Sequence, residues 1–396
     1  MFRINKHHKL LTFLLSAFIL TGCNKNLDQK PESTAGKDAI FGSEDGLKLY
    51  VNSFYNILPG INDTYKADDI SDYGARNLVA DYLRTGAYSS RQSTGWTWTN
   101  LRNVNYFLAN NNNPNIAEGV RNNYNGIARF FRAWFYFNMV KRFGDVPWIG
   151  KPMDVDDPSL YAGRDPRTLV MDSVLADLDY ACTHITLNDD KTRSLITKWV
   201  AYGLKSRVCL FEGTFRKYQT GYNLGSSANE WLQHAADASK AVMDSSGFTL
   251  NLSGGTDLSY RQLFISTAPV TNEVMLSDVS STSLAVYNDA NWYYTSSTYG
   301  VRFSFTRTFI NTYLNLDGTS FTDVPGHETM TFAQEVQGRD KRLKQTIRAG
   351  NYTRTSSGKT IPAPPVFSYT YTGYQPIKWS LDDDYYDHGA NNTNSI

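Results

Sequence analysis

Apolar residues recur at helical spacing from residue 43 to about residue 245, and the pattern then fades. Ser43 is placed to cap a first helix. Its opening turn carries Glu44 and Asp45, and Leu47, Tyr50, Val51, Phe54 and Leu58 form one stripe until Pro59 and Gly60 stop it. From Ile61 to Gly95 the periodicity breaks into polar and aromatic residues, among them Tyr65, Tyr73, Tyr82, Arg84 and Tyr88. An irregular stretch of this length is more often functional or mobile than filler. Helical spacing returns with Trp98, Leu101, Val104, Asn105 and Leu108 and ends in the cluster from Asn110 to Pro114.

The clearest run is Glu118 to Phe143. Tyr124, Ile127, Phe131, Trp134, Phe135, Phe137, Met139 and Val140 surround so much of this helix that it must pack on several sides, and Gly144, Asp145 and Pro147 end it. Further helices are predicted over Pro166 to Ile185, Thr197 to Phe215 and Asn229 to about Ser245. Helices of this size joined by short turns predict a mainly α fold of stacked pairs, as in tetratricopeptide solenoids, without that repeat's strict signature. After Gly247, short runs such as Val274 to Leu276 and Val301 to Phe305 predict loops and a few short strands. The segment from Leu381 to Ile396, acidic and then Asn-rich, does not read as the closing element of a packed domain.

The N-terminal end changes the picture. Arg3, Lys6 and Lys9 precede an apolar run from Leu10 to Leu20, which is well short of the roughly 20 residues a membrane-crossing helix needs. This is the pattern of a cleaved signal covering residues 1–22. Leu20-Thr21-Gly22-Cys23 closes the run in the form of a bacterial lipobox, so Cys23 is expected to become the acylated first residue of the mature protein. Residues 23–42 read as a flexible tether and 43–396 as the folded domain.

Loss of the signal leaves 36 basic residues against 38 acidic ones, and a chain so near neutral lacks the basic footprint of a nucleic-acid binder. Cys182 and Cys209 both fall in predicted helices and read as buried core thiols. No metal or cofactor is expected. His184, His234, His327 and His388 are not spaced to share a metal, and His327-Glu328 lacks the second histidine of a zinc-protease helix. Gly358-Lys359-Thr360 has the end of a phosphate-binding loop without its first glycine, which is replaced by Thr353. No Gly-x-Ser-x-Gly elbow occurs, so no catalytic residue is assigned. Asp68-Asp69 and Asp382 to Asp384 could serve a glycosidase, but exposed acidic runs are usually only solvated.

What stands out is aromatic content: 26 Tyr and 8 Trp, set among Asn, Ser and Thr. Sugar C–H faces lie against such rings while hydroxyls pair with planar polar groups. Two segments have this character. One holds Tyr82, Arg84, Trp96, Trp98 and Asn100; the other holds Asn291, Trp292, Tyr293 and Tyr294. Trp96 and Trp292, in polar surroundings, are the strongest candidates for ligand contact, whereas Trp98 opens a helix on its apolar face.

Several segments, in order, resemble the SusD/RagB family of bacterial outer-membrane lipoproteins. These are the lipobox with Leu27-Asp28-Gln29-Lys30-Pro31 after it, Ala128-Arg129-Phe130-Phe131-Arg132-Ala133-Trp134-Phe135-Tyr136-Phe137 running into Arg142-Phe143-Gly144-Asp145-Val146-Pro147, Ala176 to Ala181, Lys198 to Leu210, and Arg339-Asp340-Lys341-Arg342-Leu343. The resemblance implies a SusD-like helical fold and lipid anchoring at the outer surface of a Bacteroidetes-type bacterium. It also implies a SusC-like TonB-dependent transporter as partner, over which the protein captures glycan for import without catalysis. Capture of peptides or another non-sugar nutrient on the same scaffold is the alternative. The motif arginines and aspartates are expected to tie helices together. Family members usually continue into a helical C-terminal part with an Arg-Tyr…Ala-Glu-Ala-like motif, so the resemblance also implies that this part is missing here.

Overall fold

The longest element, the 26-residue helix Glu118–Phe143, lies at the centre of the larger core. The computed structural model describes residues 36–66, 71–76, 80–281, 283–296 and 300–384. The expected signal, Cys23, Asp68-Asp69 and His388 lie outside the described residues. In chain order the α-helices are α1 Lys37–Phe41, α2 Glu44–Asn52, α3 Asp63–Lys66, α4 Thr99–Asn110, α5 Glu118–Phe143, α6 Arg167–His184, α7 Lys198–Tyr218 and α8 Ala228–Ser245. They continue with α9 Gly255–Ile265, α10 Ala290–Thr295, α11 Arg307–Asn311, α12 Phe332–Glu335 and α13 Lys341–Thr346. Strands β1 Gly74–Ala75 and β2 Ser304–Phe305 pair antiparallel, as do β3 Thr353–Ser356 and β4 Lys359–Pro362. The mainly α expectation holds.

Local chemistry sets the helix ends. Ser43 Oγ accepts the Gly46 N–H at 3.2 Å and Thr197 Oγ1 accepts the Val200 N–H at 3.3 Å, each satisfying a donor that the first helical turn leaves free. The first predicted helix ends earlier than its apolar stripe, at Asn52, and a 3-10 turn over Ser53–Ile57 carries Phe54 inward. Gly144 takes φ +70 after α5, a conformation that other residues adopt only under strain, and this turns the chain away from the helix.

Helices α5 to α8 pack in succession, each on the next. Phe131, Tyr136, Val174, Leu178 and Val208 are fully enclosed between them, and each such side chain contributes roughly 1.5–3 kcal/mol of transfer free energy. Charged residues run through the same layers. Glu212 of α7, with no exposed surface, accepts Arg167 Nη2 from α6 at 2.6 Å and Arg216 Nε at 2.9 Å. Arg216 also lies 4.7 Å from the Trp231 ring of α8. Of the family-like motifs, Arg132 and Asp177 join α5 to α6 through bonds of 2.6 and 2.7 Å, as expected of the motif arginine and aspartate.

A second, smaller core gathers Tyr65, Ala290, Tyr294, Phe303, Phe305, Ile310, Leu343 and Ile347. Arg339 closes it: its Nη atoms donate to the Glu335, Ile310 and Tyr313 main-chain carbonyls at 2.7 to 2.9 Å.

Four expectations change. Within the expected tether, Lys37–Phe41 is helical and Phe41 is 5% exposed, packed on the Tyr50 and Phe107 rings; five residues are too few to show a periodicity. After Gly247 the chain is richer in helix than expected, with the 11-residue α9 the largest addition. The Val274 to Leu276 run forms no strand. Residues 381–384 pack on the domain: Asp382 takes Arg261 in two bonds of 2.8 and 2.7 Å and also accepts the Tyr352 hydroxyl. Gly358, at φ +76, follows Ser357 at φ +48 in the two-residue turn of the β3–β4 hairpin, so Gly358-Lys359-Thr360 belongs to a hairpin and not to a phosphate loop. Cys182 and Cys209 are free and buried.

Candidate functional site

The loop between α3 and α4 carries the first aromatic segment. Two short 3-10 turns, Asp81–Leu83 and Ser90–Gln92, give it shape, the second held by a capping box in which the Gln92 side chain accepts the Ser89 N–H at 2.8 Å. Tyr82 and Tyr88 meet edge to face at 6.0 Å and both stay exposed. Arg84 pairs with Asp81 at the surface, a contact of little energetic weight in water.

Trp96 ends the loop. Gly95 before it takes φ +87, and a Cβ there would stand 3.5 Å from the Arg142 guanidinium. The Trp96 ring is perpendicular to Trp98 at 5.2 Å and to Phe143 at 5.0 Å, and 42% of the residue remains exposed. Trp98, in contrast, is partly buried against Phe135 and Tyr136 of α5. It anchors the loop to the helical core, so Trp96 is an exposed ring on a rigid base. Asn100 is exposed in the first turn of α4.

Two cations border Trp96. Arg164 lies 4.9 Å from the ring centroid, and its Nη1 donates to the Phe143 and Asp145 carbonyls at 3.0 and 3.3 Å. Arg142, in the last turn of α5, donates to Thr94 Oγ1 at 3.2 Å. Cations here complement the carbonyl end of α5. In the sequence Arg142 belongs to a family-like motif, whereas Arg164 belongs to none. Proximity to a helix stop at Gly144 was the available signal for the first, and none marks the second.

The second aromatic segment is built differently. Asn291 to Tyr294 lie in α10 and not in a loop. Asn291 and Tyr294 are buried and engaged: Asn291 Oδ1 accepts the Leu381 N–H at 2.8 Å, and the Tyr294 hydroxyl donates to the Tyr65 carbonyl at 3.0 Å. Both are removed from the ligand-contacting set because their polar atoms hold the second core together. Trp292 and Tyr293 are half-buried.

Beside them lies a junction that the sequence does not announce. Asp289 pairs with Lys66 at 2.9 Å and accepts the Tyr65 hydroxyl, while Asn62 Oδ1 accepts the Asp289 N–H at 3.0 Å. Burial raises the Asp289 carboxyl above its ordinary value. The Lys66 ammonium is 5.4 Å from the Tyr293 ring. The two aromatic segments thus rest on different elements, one on the C-terminal end of α5 and one in the second core. Among the described residues no group of three or more His, Cys, Asp or Glu is arranged to hold a metal ion, and no helix is long and apolar enough to cross a membrane.

The family described as SusD-like, "Starch-binding associating with outer membrane", matches residues 49–204. Two SusD-like proteins of Formosa agariphila are similar to the chain at 23% and 24% identity; the matches cover 55% and 52% of this chain and 45% and 44% of those relatives. The matched part thus spans less than half the length of these curated relatives. A SusD-like protein from Bacteroides fragilis superposes with a TM-score of 0.67 at 20% identity, over 93% of this chain and 74% of its own. A SusD-like carbohydrate binding protein from the same species gives 0.57 at 16% identity, over 80% and 61%. At these identities the structural likeness shows the fold, which is the helical SusD-like one. Residues 49–204 are thus similar to the SusD-like family, and the fold is the one its solved members share.

Proposed function

We propose that this chain is a non-catalytic glycan-binding lipoprotein of the bacterial cell surface, anchored through an acylated Cys23, that captures oligo- or polysaccharide for import through a SusC-like TonB-dependent outer-membrane transporter. The observation that carries the reading is Trp96: an exposed ring fixed edge-on by Trp98 and Phe143 at the rim of a rigid helical core. Preorganised aromatic surface costs little conformational entropy when a sugar face settles on it. The exposed Tyr82–Tyr88 pair and Arg84 add further rings and a hydrogen-bond donor in the same loop. Half-buried Trp292 and Tyr293 remain secondary candidates. The family's association with the outer membrane and the carbohydrate-binding description of a fold relative support the assignment.

The test is titration of the protein lacking residues 1–22 against a panel of polysaccharides. Binding to at least one member, weakened about tenfold or more by Trp96→Ala and less by Trp292→Ala, is expected, in line with the weight of a single buried aromatic contact. Absence of binding to every member overturns the reading. Steady release of hydrolysis products from a bound substrate overturns its non-catalytic part.

A further inference from the structure

The two guanidinium groups beside Trp96 are not neutralised by carboxylates. Arg132, Arg167 and Arg216 in the core each grip an Asp or Glu. Among the described residues Arg142 and Arg164 form no ion pair: Arg142 bonds Thr94 and Arg164 bonds two main-chain carbonyls. The carboxylates nearest to them along the chain are engaged elsewhere. Asp145 Oδ1 accepts the Arg167 N–H at 2.9 Å, and Asp165 Oδ2 accepts the Trp148 N–H at 2.7 Å. Nor is this the overflow of a basic protein, because the whole chain carries a formal charge of only +1.

Both side chains are exposed, yet both are held. Arg164 is fixed through Nη1 alone, so the remaining N–H groups of its planar fork are available to an anion. Its position over the Trp96 ring brings that fork to the edge of the aromatic surface. Arg142 sits behind the neighbouring turn, against Gly95 and Thr94. Carboxylate and sulfate oxygens match guanidinium geometry, and such charge-assisted bonds are roughly twice as strong as neutral ones.

We propose that the Trp96 surface takes an acidic glycan, one bearing a carboxylate or a sulfate ester, with a sugar against the exposed part of Trp96 and the anionic group against Arg142 and Arg164. The inference rests on Trp96 being a glycan contact and adds the class of glycan.

The test uses the full chain without residues 1–22 and matched pairs of ligands: oligogalacturonate and its methyl ester, and a sulfated galactan oligosaccharide and its desulfated form. The first pair reports on carboxylate and the second on sulfate. The acidic member of at least one pair is expected to bind about tenfold or more tightly than its neutral counterpart, with the gap narrowing as salt screens the charges. Arg142→Gln and Arg164→Gln should each weaken the acidic member more than the neutral one and so shrink that gap, with an unchanged melting curve as the folding control. Trp96→Ala should weaken both members. Equal or tighter binding of the neutral members, with Trp96→Ala still weakening them, overturns the acidic preference and leaves glycan capture standing. Preference for the acidic member untouched by either arginine substitution overturns the assignment to this site. Failure of every member to bind removes glycan capture and the inference together.

Discussion

Arg132 of α5 grips Asp177 of α6 through two parallel bonds, Nε to Oδ2 at 2.6 Å and Nη2 to Oδ1 at 2.7 Å, and the two residues are only 7% and 2% exposed. The same guanidinium donates through Nη1 to Asn105 Oδ1 of α4 at 3.2 Å and to the Gly150 carbonyl at 3.3 Å. One side chain thereby joins three helices and the connection that follows α5, the connection on which Arg164 reaches Trp96. Truncating one partner strands a buried charge. Asp177→Ala should cost about 3–5 kcal/mol in urea unfolding, whereas Arg132→Met combined with Asp177→Leu should recover most of that loss, because the buried guanidinium goes with its carboxylate and Arg129, which also loses Asp177 as a partner, is about one-third exposed to water. A single substitution that costs less than the double would contradict this account.

The two buried thiols give a prediction that needs no mutation. Burial pushes both Cys182 and Cys209 up to about 12, and neither is in a disulfide. At pH 8 the thiolate, which is the reactive species, is scarce in the native state, and the packed helices block access. Both thiols should resist alkylation in the folded protein at pH 8 and react promptly in guanidinium. Labelling of either one in the native state faster than global unfolding would show that α6 and α7 open locally.

Asp278 lies in the other direction on the pH axis. Burial raises its carboxyl above the ordinary carboxylate range, so the ionised form is less favourable folded than unfolded. Its contribution is therefore destabilising at neutral pH, and that penalty is relieved as pH falls through the raised folded value and below the unfolded one. Asp278→Asn should be more stable than the parent at pH 7, with the difference shrinking toward zero in acid. Equal stabilisation at both pH values would assign the effect to packing instead of ionisation.

The helical half was legible because its buried residues are apolar and recur: Val170, Val174, Leu178 and Ala181 mark α6 without any tertiary knowledge. Helix α9 was illegible for the opposite reason. The residues it buries are Ser259 and Arg261, and Arg261 is accommodated inside by partners far along the chain, the Asp382 carboxylate and the Ile377 and Ser380 carbonyls. At the candidate site, composition pointed to rings among polar residues but not to which rings would stay outside. Trp96 stayed exposed, while Asn291 and Tyr294 were drawn in by Leu381 and Tyr65, partners distant in sequence. The position of Arg164 over Trp96 likewise depends on a turn after α5 that folds two loops together, and no local pattern encodes it.

The approach of α8 to α7 depends on one missing side chain. A Cβ at Gly213 would stand 2.8 Å from Leu232 Cγ and Cδ2 and 3.0 Å from its main-chain nitrogen, and the last of these cannot rotate away. Two effects oppose each other in Gly213→Ala. Helix propensity favours alanine by about 1 kcal/mol, while overpacking a tight contact costs about 1–3 kcal/mol. The neighbouring residue is Glu212, whose bond to Arg167 of α6 leaves little room for α7 to shift, so the penalty should lie toward the upper end and the net effect should be a loss of roughly 1–2 kcal/mol. Gly119, exposed near the start of α5 with nothing within 4 Å of its would-be Cβ, supplies the control. Gly119→Ala should be neutral or stabilising by up to about 1 kcal/mol. Opposite signs for the two glycines in urea unfolding would locate the cost at the α7–α8 contact, and a stabilised Gly213→Ala would mean that α8 gives way more readily than its backbone contact with Gly213 indicates.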